Sequence, residues 1–187
     1  EKDPDPIQPD EELKIITFSS FGIEDADFTN IDTGNFCASG LYRDVIKGKT
    51  LDGTLFHGKV KFSTAYGADI RLGGVKDGWT GIRLATTGDG CLILEDTAIE
   101  NKKLSKILVP TVAGSTLTGK WLDLMMSIQY VDHDGDGKQD DVKLGVWLNG
   151  VLYENQYIYI DDYTECLGSY MGIYSSNPNS HISIRSI

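Results

Sequence analysis

Between Trp121 and Asp162, apolar and polar residues alternate with a period of two on either side of two turns of opposite character. Asn149-Gly150 is a two-residue connection whose members both tolerate positive φ, as a tight type I′ hairpin requires. The other turn is the acidic run Asp132-His133-Asp134-Gly135-Asp136-Gly137-Lys138-Gln139-Asp140-Asp141. Each turn sets a register independently. The tight turn puts Leu148 opposite Val151, Trp147 opposite Leu152, Val146 opposite Tyr153 and Gly145 opposite Glu154. An evenly closed acidic loop puts Tyr130 opposite Val142, Ile128 opposite Leu144, Met126 opposite Val146 and Leu124 opposite Leu148. Both registers divide the side chains in the same way. One face collects Leu124, Met126, Ile128, Tyr130, Val142, Leu144, Val146, Leu148 and Tyr153; the other collects Asp123, Met125, Ser127, Gln129, Lys143, Trp147, Asn149, Glu154 and Gln156. This predicts three antiparallel strands with a core face and a polar face. A large aromatic in the middle of the polar face suits a ligand surface better than a core.

The rest of the chain continues the strand pattern. Short strands are predicted over Leu13–Phe18, Leu41–Ile46, Leu55–Phe62, Ala68–Leu72, Gly81–Thr86, Cys91–Glu95, Ser169–Tyr174 and His181–Ile184. In the third of these, Phe56, Val60 and Phe62 share one face, and His57, Lys59 and Lys61 the other. Phe21–Gly40 and Pro110–Gly119 read as loops, and Ala98–Lys106 alone is compatible with a helical turn. No internal repeat recurs at a fixed period. Many short strands in one domain mean a sandwich or jelly roll, or else a barrel.

Composition narrows the picture. The chain has 187 residues, enough for a single domain, Leu13–Ile187, with a sizeable core, and it is rich in glycine. Residues 1–12, EKDPDPIQPDEE, hold three prolines and one apolar side chain, and are expected to form an acidic, extended linker whose removal costs little. Such a segment often tethers a domain to a lipidated or signal-bearing N-terminus in an exported bacterial protein. The formal net charge of −11 argues against nucleic acid or an anionic membrane as a partner, since both would repel the chain. No run is apolar and long enough to span a bilayer. The chain does not begin with Met and carries no signal peptide, so it reads as a mature or trimmed chain. Cys37, Cys91 and Cys166 form no CxxC or metal-type spacing, and permit at most one disulfide.

The order of features resembles a known family. GGVKDGWTGIRLATTGDGCLIL, then a strand that starts at Trp121, then KLGVWLNGVLY, then MGIYSSNPNSHISIRSI, is similar to the concanavalin A-like lectin/glucanase superfamily, and in particular to its laminin-G-like and glycan-binding members. The resemblance covers Leu13–Ile187 and implies an all-β, two-sheet antiparallel β-sandwich of jelly-roll type. In that family a final short strand returns to the N-terminal edge, and the concave face of one sheet commonly carries a sugar site. Enzymes of the family carry E-x-D-x-x-E on one strand. Neither Glu24-Asp25-Ala26-Asp27 nor Glu95-Asp96-Thr97-Ala98-Ile99-Glu100 matches it, and Glu95 and Glu100 differ in strand parity. Asp123 and Glu154 share the polar face and are the weak candidates for a carboxylate pair, which retaining hydrolysis needs about 5–5.5 Å apart.

The acidic loop carries the strongest chemical motif. Asp132, Asp134, Asp136 and Asp140 fall at positions 1, 3, 5 and 9 of an EF-hand-type calcium loop, with Gly137 at position 6 and the Lys138 carbonyl at position 7. Position 12 is Lys143 instead of a bidentate Glu, and no helix flanks the loop, so Asp141 or a water would complete the shell. The expected ion is Ca²⁺ in a structural role; the alternative is a solvated acidic turn held by Asx hydrogen bonds. For a glycan, the candidate platform is Trp147 with Asp123, Gln129, Asn149 and Glu154, supplemented by Trp79 and Tyr66; Trp121 shares the parity of Asp123. The expected function is glycan or polysaccharide binding by a secreted or cell-surface lectin-like or accessory domain. Alternatives are a glycoside hydrolase of the same fold and a protein-binding adhesion domain.

Overall fold

The computed structural model describes residues 5–29, 41–44, 50–62, 68–74, 81–86, 92–96, 103–109, 119–164, 167–175 and 181–187. Tyr66, Trp79, Cys37, Cys91, Cys166 and Glu100 lie outside these residues. The strands are β1 (Lys14–Ile16), β2 (Ala26–Thr29), β3 (Leu41–Asp44), β4 (Thr54–Phe62), β5 (Ala68–Gly74), β6 (Ile82–Thr86), β7 (Leu92–Asp96), β8 (Ser105–Val109), β9 (Trp121–Val131), β10 (Asp141–Leu148), β11 (Val151–Leu152), β12 (Ile158–Ile160), β13 (Tyr170–Ser175) and β14 (His181–Ser186).

They form a two-sheet β-sandwich. One sheet runs β11-β10-β9-β4-β14-β2, with β12 also on β10 and β1 on β4; the other runs β3-β13-β5-β6-β7-β8. All pairings are antiparallel except β1 with β4, where Lys14, Ile15 and Ile16 run alongside Thr54, Leu55 and Phe56. The core lies between the sheets. Phe56, Val60, Phe62, Leu124, Met126, Ile128, Leu144, Val146, Ile182 and Ile184 face Ile70, Leu72, Ile82, Leu84, Leu94, Met171 and Ile173 across it, all buried.

The β9–β10 ladder has the expected register residue for residue, including Tyr130 with Val142 and Leu124 with Leu148. The tight turn is also as expected, with φ of 52° at Asn149 and 85° at Gly150. The third strand differs. Leu148–Val151 and Trp147–Leu152 pair, but the chain then leaves the ladder through a 3₁₀ turn at Tyr153–Asn155, where Glu154 and Asn155 take φ of 53° and 56°. A regular ladder would bring Asn155 opposite Leu144; Ile158 stands there instead, three residues further on. The shift has a packing reason. Without it Asn155 would face the core, whereas with it Ile158 and Ile160 do, while Tyr159 points outward and stays 43% exposed. Burying apolar side chains in place of an amide outweighs the two left-handed residues.

Two more stretches depart from the sequence reading. Ala26–Thr29, within the expected loop, is a strand because β14 supplies its partner, His181–Ile184. Within the expected helical turn, the described residues Lys103–Leu104 are irregular, and Ser105 opens β8 against β7. Both are tertiary pairings that override weak local pattern. The last strand, β14, is interior to its sheet, between β4 and the edge strand β2.

Candidate functional site

The outer face of the larger sheet is divided into two parts. Toward β10 it is covered. Trp147 does sit on the face opposite Val146 and Leu148, but its ring is fully buried in a second apolar cluster with Leu13, Leu55 and Leu152, against which Ile7, Met125 and Tyr157 pack. Its indole N–H donates to the Ile7 carbonyl at 2.9 Å, and Tyr157 meets the ring edge-on at 6.0 Å. Gly145, two residues back on the same face, makes this possible. A Cβ there would lie 2.5 Å from the indole, so only glycine lets the ring lie flat on the strand. Trp147 is thus not available for a sugar to stack on. The ring needed a cover, and an apolar residue 140 positions upstream provides it. Residues 5–10 have no regular structure, as an extended segment would, but Ile7 packs on the domain and Asp10 accepts the Glu12 amide through its side chain and the Leu13 amide through its carbonyl.

Toward β14 the same face is open. A cleft of about 530 Å³ is lined by Lys59, Trp121, Asp123, Asn149 and Arg185. The register explains how they meet: Lys59 pairs with Asp123 on β9 and with Arg185 on β14, and Lys61 with Trp121. Trp121 is 41% exposed, with the Lys61 Nζ and the Arg185 Cζ over its ring at 5.0 and 5.1 Å. The Asp123 Oδ1 lies 2.7 Å from His57 Nε2. The Asp123 amide donates to the Asn149 side-chain oxygen at 2.9 Å and its carbonyl accepts the Asn149 amide at 2.8 Å, so the hairpin tip is clamped to β9. Of the expected ligand residues, the cleft brings together Asp123 and Asn149. Gln129 pairs with Lys143 further along the sheet. Glu154 is exposed in the 3₁₀ turn, accepting a bond from Gln156, and is not among the cleft residues; the Asp123–Glu154 pairing on a shared strand face is lost with the shift after Leu152. The sequence reading did not single out Arg185, although its parity with Ser183 on β14 was a usable signal. Lys59 and Lys61 were visible only as one polar strand face.

The acidic loop is held by its own side chains. Asp132 accepts the Gly135 and Gly137 amides, Asp134 the Asp136 amide and Asp136 the Lys138 amide. Buried Asp141 organises the loop base: one oxygen accepts from Asp162 at 2.9 Å, the other from His133 at 2.6 Å and Asp134 at 2.9 Å. These amides, Asp162's foremost, hold its carboxyl below the usual carboxylate range. The Asp136 amide pulls Asp134 down, but loss of surrounding water and the charges of Asp136, Asp141 and Asp162 outweigh it and push Asp134 from 3.8 to about 6. Asp140 is raised too, by desolvation first and then by Asp136, Asp162 and Asp141. Two groups of carboxylate oxygens come within 4.8 Å of one another: Asp132, Asp134 and Asp136, and Asp134, Asp140, Asp141 and Asp162. Asp162 was missed in the sequence; it arrives because β12 pairs back onto β10. The Lys138 side chain is exposed at the loop tip.

On the other sheet, buried Asp69, Arg71 and Glu95 form an ion network with half-buried Arg83. Arg71 Nε donates to Asp69 at 2.8 Å, and Arg83 bridges Asp69 and Glu95. Each of its carboxylates meets a guanidinium, as buried charge requires.

Fold and site together define a two-sheet β-sandwich with an open, polar and aromatic cleft on one outer face. No family model matches the chain, and no curated protein does. Among solved structures it is similar to galectin LEC-6 of Caenorhabditis elegans, with 11% identity, 86% of this chain and 95% of that chain covered, and a TM-score of 0.48. It is also similar to a cellulose-induced protein, Cip1, with 12% identity, 87% and 85% covered, and a TM-score of 0.47. Likenesses this distant say nothing of ligand or residue roles, and the fold class rests on the sheets themselves.

Proposed function

We propose that the chain binds glycan through the cleft around Trp121. The observation that carries this reading is an exposed indole flanked by Lys59, Asp123, Asn149 and Arg185 in one depression of about 530 Å³, within the size range of small-molecule sites, about 300–1,000 Å³. The apolar face of a pyranose packs on an aromatic ring, and its hydroxyls need both donors and acceptors within reach. Lys59 and Arg185 donate, Asp123 accepts, and the Asn149 amide does both. The clamp between Asn149 and β9 fixes two of these groups before a ligand arrives, which lowers the ordering cost of binding.

In the same reading the Asp132–Asp141 loop, joined by Asp162, holds Ca²⁺ as a structural ion. Supporting this are two sets of hard oxygen donors at mutual ligand distance and carboxyls made less acidic by desolvation and then by one another's charge. Extracellular calcium would fill even a weak loop of this kind, so the domain is proposed to work outside the cell.

The test is a glycan array followed by titration calorimetry on the strongest hit, with a reducing-sugar assay alongside. Trp121→Ala should weaken binding at least tenfold, about 1.4 kcal/mol, with little change in melting temperature because the ring is half in water. Turnover in the reducing-sugar assay would favour a hydrolase. Unchanged affinity in Trp121→Ala would remove the cleft from consideration.

A further inference from the structure

The charge in the cleft does not match the charge of the chain. The protein carries −11 overall, yet the open face around Trp121 gathers Lys59, Lys61 and Arg185 against one lining carboxylate, Asp123, which already meets His57. Lys59 stands directly opposite Arg185 in the β4–β14 ladder. Like charges in that position destabilise a sheet, and Asp123, opposite Lys59 on the other side, turns its carboxylate to His57. Among the described residues neither Lys59 nor Lys61 has an ion-pair partner. In a chain with 28 acidic residues and 17 basic ones, partners of opposite sign were easy to place here. The fold instead sets cations side by side, around the one exposed tryptophan among the described residues.

We propose that the ligand of this cleft is an acidic saccharide: a pyranose bearing an anionic substituent, carboxylate or sulfate ester, seated between Lys59 and Arg185 with its ring against Trp121. The inference rests on the glycan reading and names the class of sugar. A guanidinium matches a carboxylate or sulfate edge through paired N–H donors, and an ammonium beside it adds a second charge-assisted bond. An anion beside Lys59 supplies the counter-charge that its cross-strand neighbour Arg185 does not. The surplus negative charge elsewhere does not cancel this, because the screening length is about 8 Å at physiological ionic strength. Charges on the far sheet and in the acidic loop are damped, whereas the cations in contact with the anion are not.

The experiment compares three hexasaccharide probes on the intact chain: an oligogalacturonate, the same oligomer with its carboxyls reduced to alcohols, and a chondroitin sulfate. Affinities are measured for the native chain and for Lys59→Gln, Arg185→Gln and Trp121→Ala, each checked for an unchanged melting temperature. The expected result is at least tenfold tighter binding of one of the acidic probes than of the reduced oligomer. An oligogalacturonate preference names the carboxylate; chondroitin sulfate bears glucuronate carboxylates as well as sulfate esters, so a preference for it names sulfate only if desulfation of the probe abolishes it. Lys59→Gln and Arg185→Gln should each weaken the acidic probes far more than the reduced oligomer, removing most of that preference, and Trp121→Ala should weaken all the probes. If the reduced oligomer binds as tightly as the acidic ones, the acidic-sugar inference falls and glycan binding stands. If neither these probes nor a neutral glycan array yields binding, the glycan reading falls and the inference with it. If acidic probes bind but ignore all three substitutions, the site lies elsewhere and the inference is overturned.

Discussion

Deleting residues 1–9 tests the division of the outer face, because it removes Ile7 but keeps Asp10, which accepts the Glu12 and Leu13 amides. Composition alone argues that the deletion is harmless. The structure predicts a cost. Ile7 is half-buried on Trp147, worth about 1 kcal/mol at roughly half the full burial of such a side chain. Its carbonyl takes the indole N–H, worth about 1 kcal/mol more. Ordering the segment offsets part of this, leaving about 1–2 kcal/mol. For 187 residues at about 2.1 cal/mol/K each, the unfolding entropy is about 0.4 kcal/mol/K, so the melting temperature should fall by about 3–5 °C. Trp147→Ala empties a fully buried site and should cost about 3–5 kcal/mol, or about 8–13 °C. The decisive measurement is the double-mutant cycle by thermal or urea unfolding. With Trp147 gone, Ile7 covers nothing, so the deletion should cost under about 0.5 kcal/mol, giving a coupling of about 1 kcal/mol. A deletion that moves neither the melting temperature nor the tryptophan emission would refute the reasoning and return the segment to the status of a linker.

Three further predictions follow from the same geometry. Calcium should raise the melting temperature by mass action and EDTA should reverse this, with Asp134→Ala and Asp162→Ala each abolishing the response; a curve indifferent to both reagents would end the calcium proposal. In metal-free protein the Asp134 carboxyl should titrate at about 6 by NMR. A carboxyl whose folded value is raised opposes folding while ionised, so its penalty should begin to fade as pH falls through about 6 and be gone below the ordinary value of 3.8. The lowered Asp141 acts in the opposite sense, its stabilisation being present at neutral pH and lost at strongly acid pH. An Asp134 value near 4 would contradict the crowding described. Gly145→Ala should destabilise by at least about 1 kcal/mol, because its Cβ meets both the indole and the Ser127 hydroxyl; a neutral effect on urea unfolding would mean that the ring does not lie on the strand.

The β9–β10 ladder was legible because both of its turns carried their own chemistry and the alternation ran unbroken between them. The third strand was not: Asn155 tolerates left-handed backbone, but nothing local marks Glu154 for it, and what decides there is whether Asn155 or Ile158 reaches the core. The cleft was half legible for a related reason. Asp123 and Asn149 belong to one hairpin, whereas Lys59 and Arg185 come from strands far apart in the chain. Trp147 was placed on the correct face and given the wrong surroundings, since period two says which way a side chain points and not what lies over it.

The three-residue excursion at Tyr153–Asn155 has a consequence for solubility. Beyond β10 the sheet ends in two short pieces, Val151–Leu152 and Ile158–Ile160, separated by backbone turned out of plane. A long, straight border strand would offer a row of unpaired amides and carbonyls to any passing extended chain. Here an incoming strand could pair for two or three residues before meeting the turn. The border therefore resists stacking copy upon copy into a continuous sheet, although Val151 and Tyr159 leave apolar surface exposed along it.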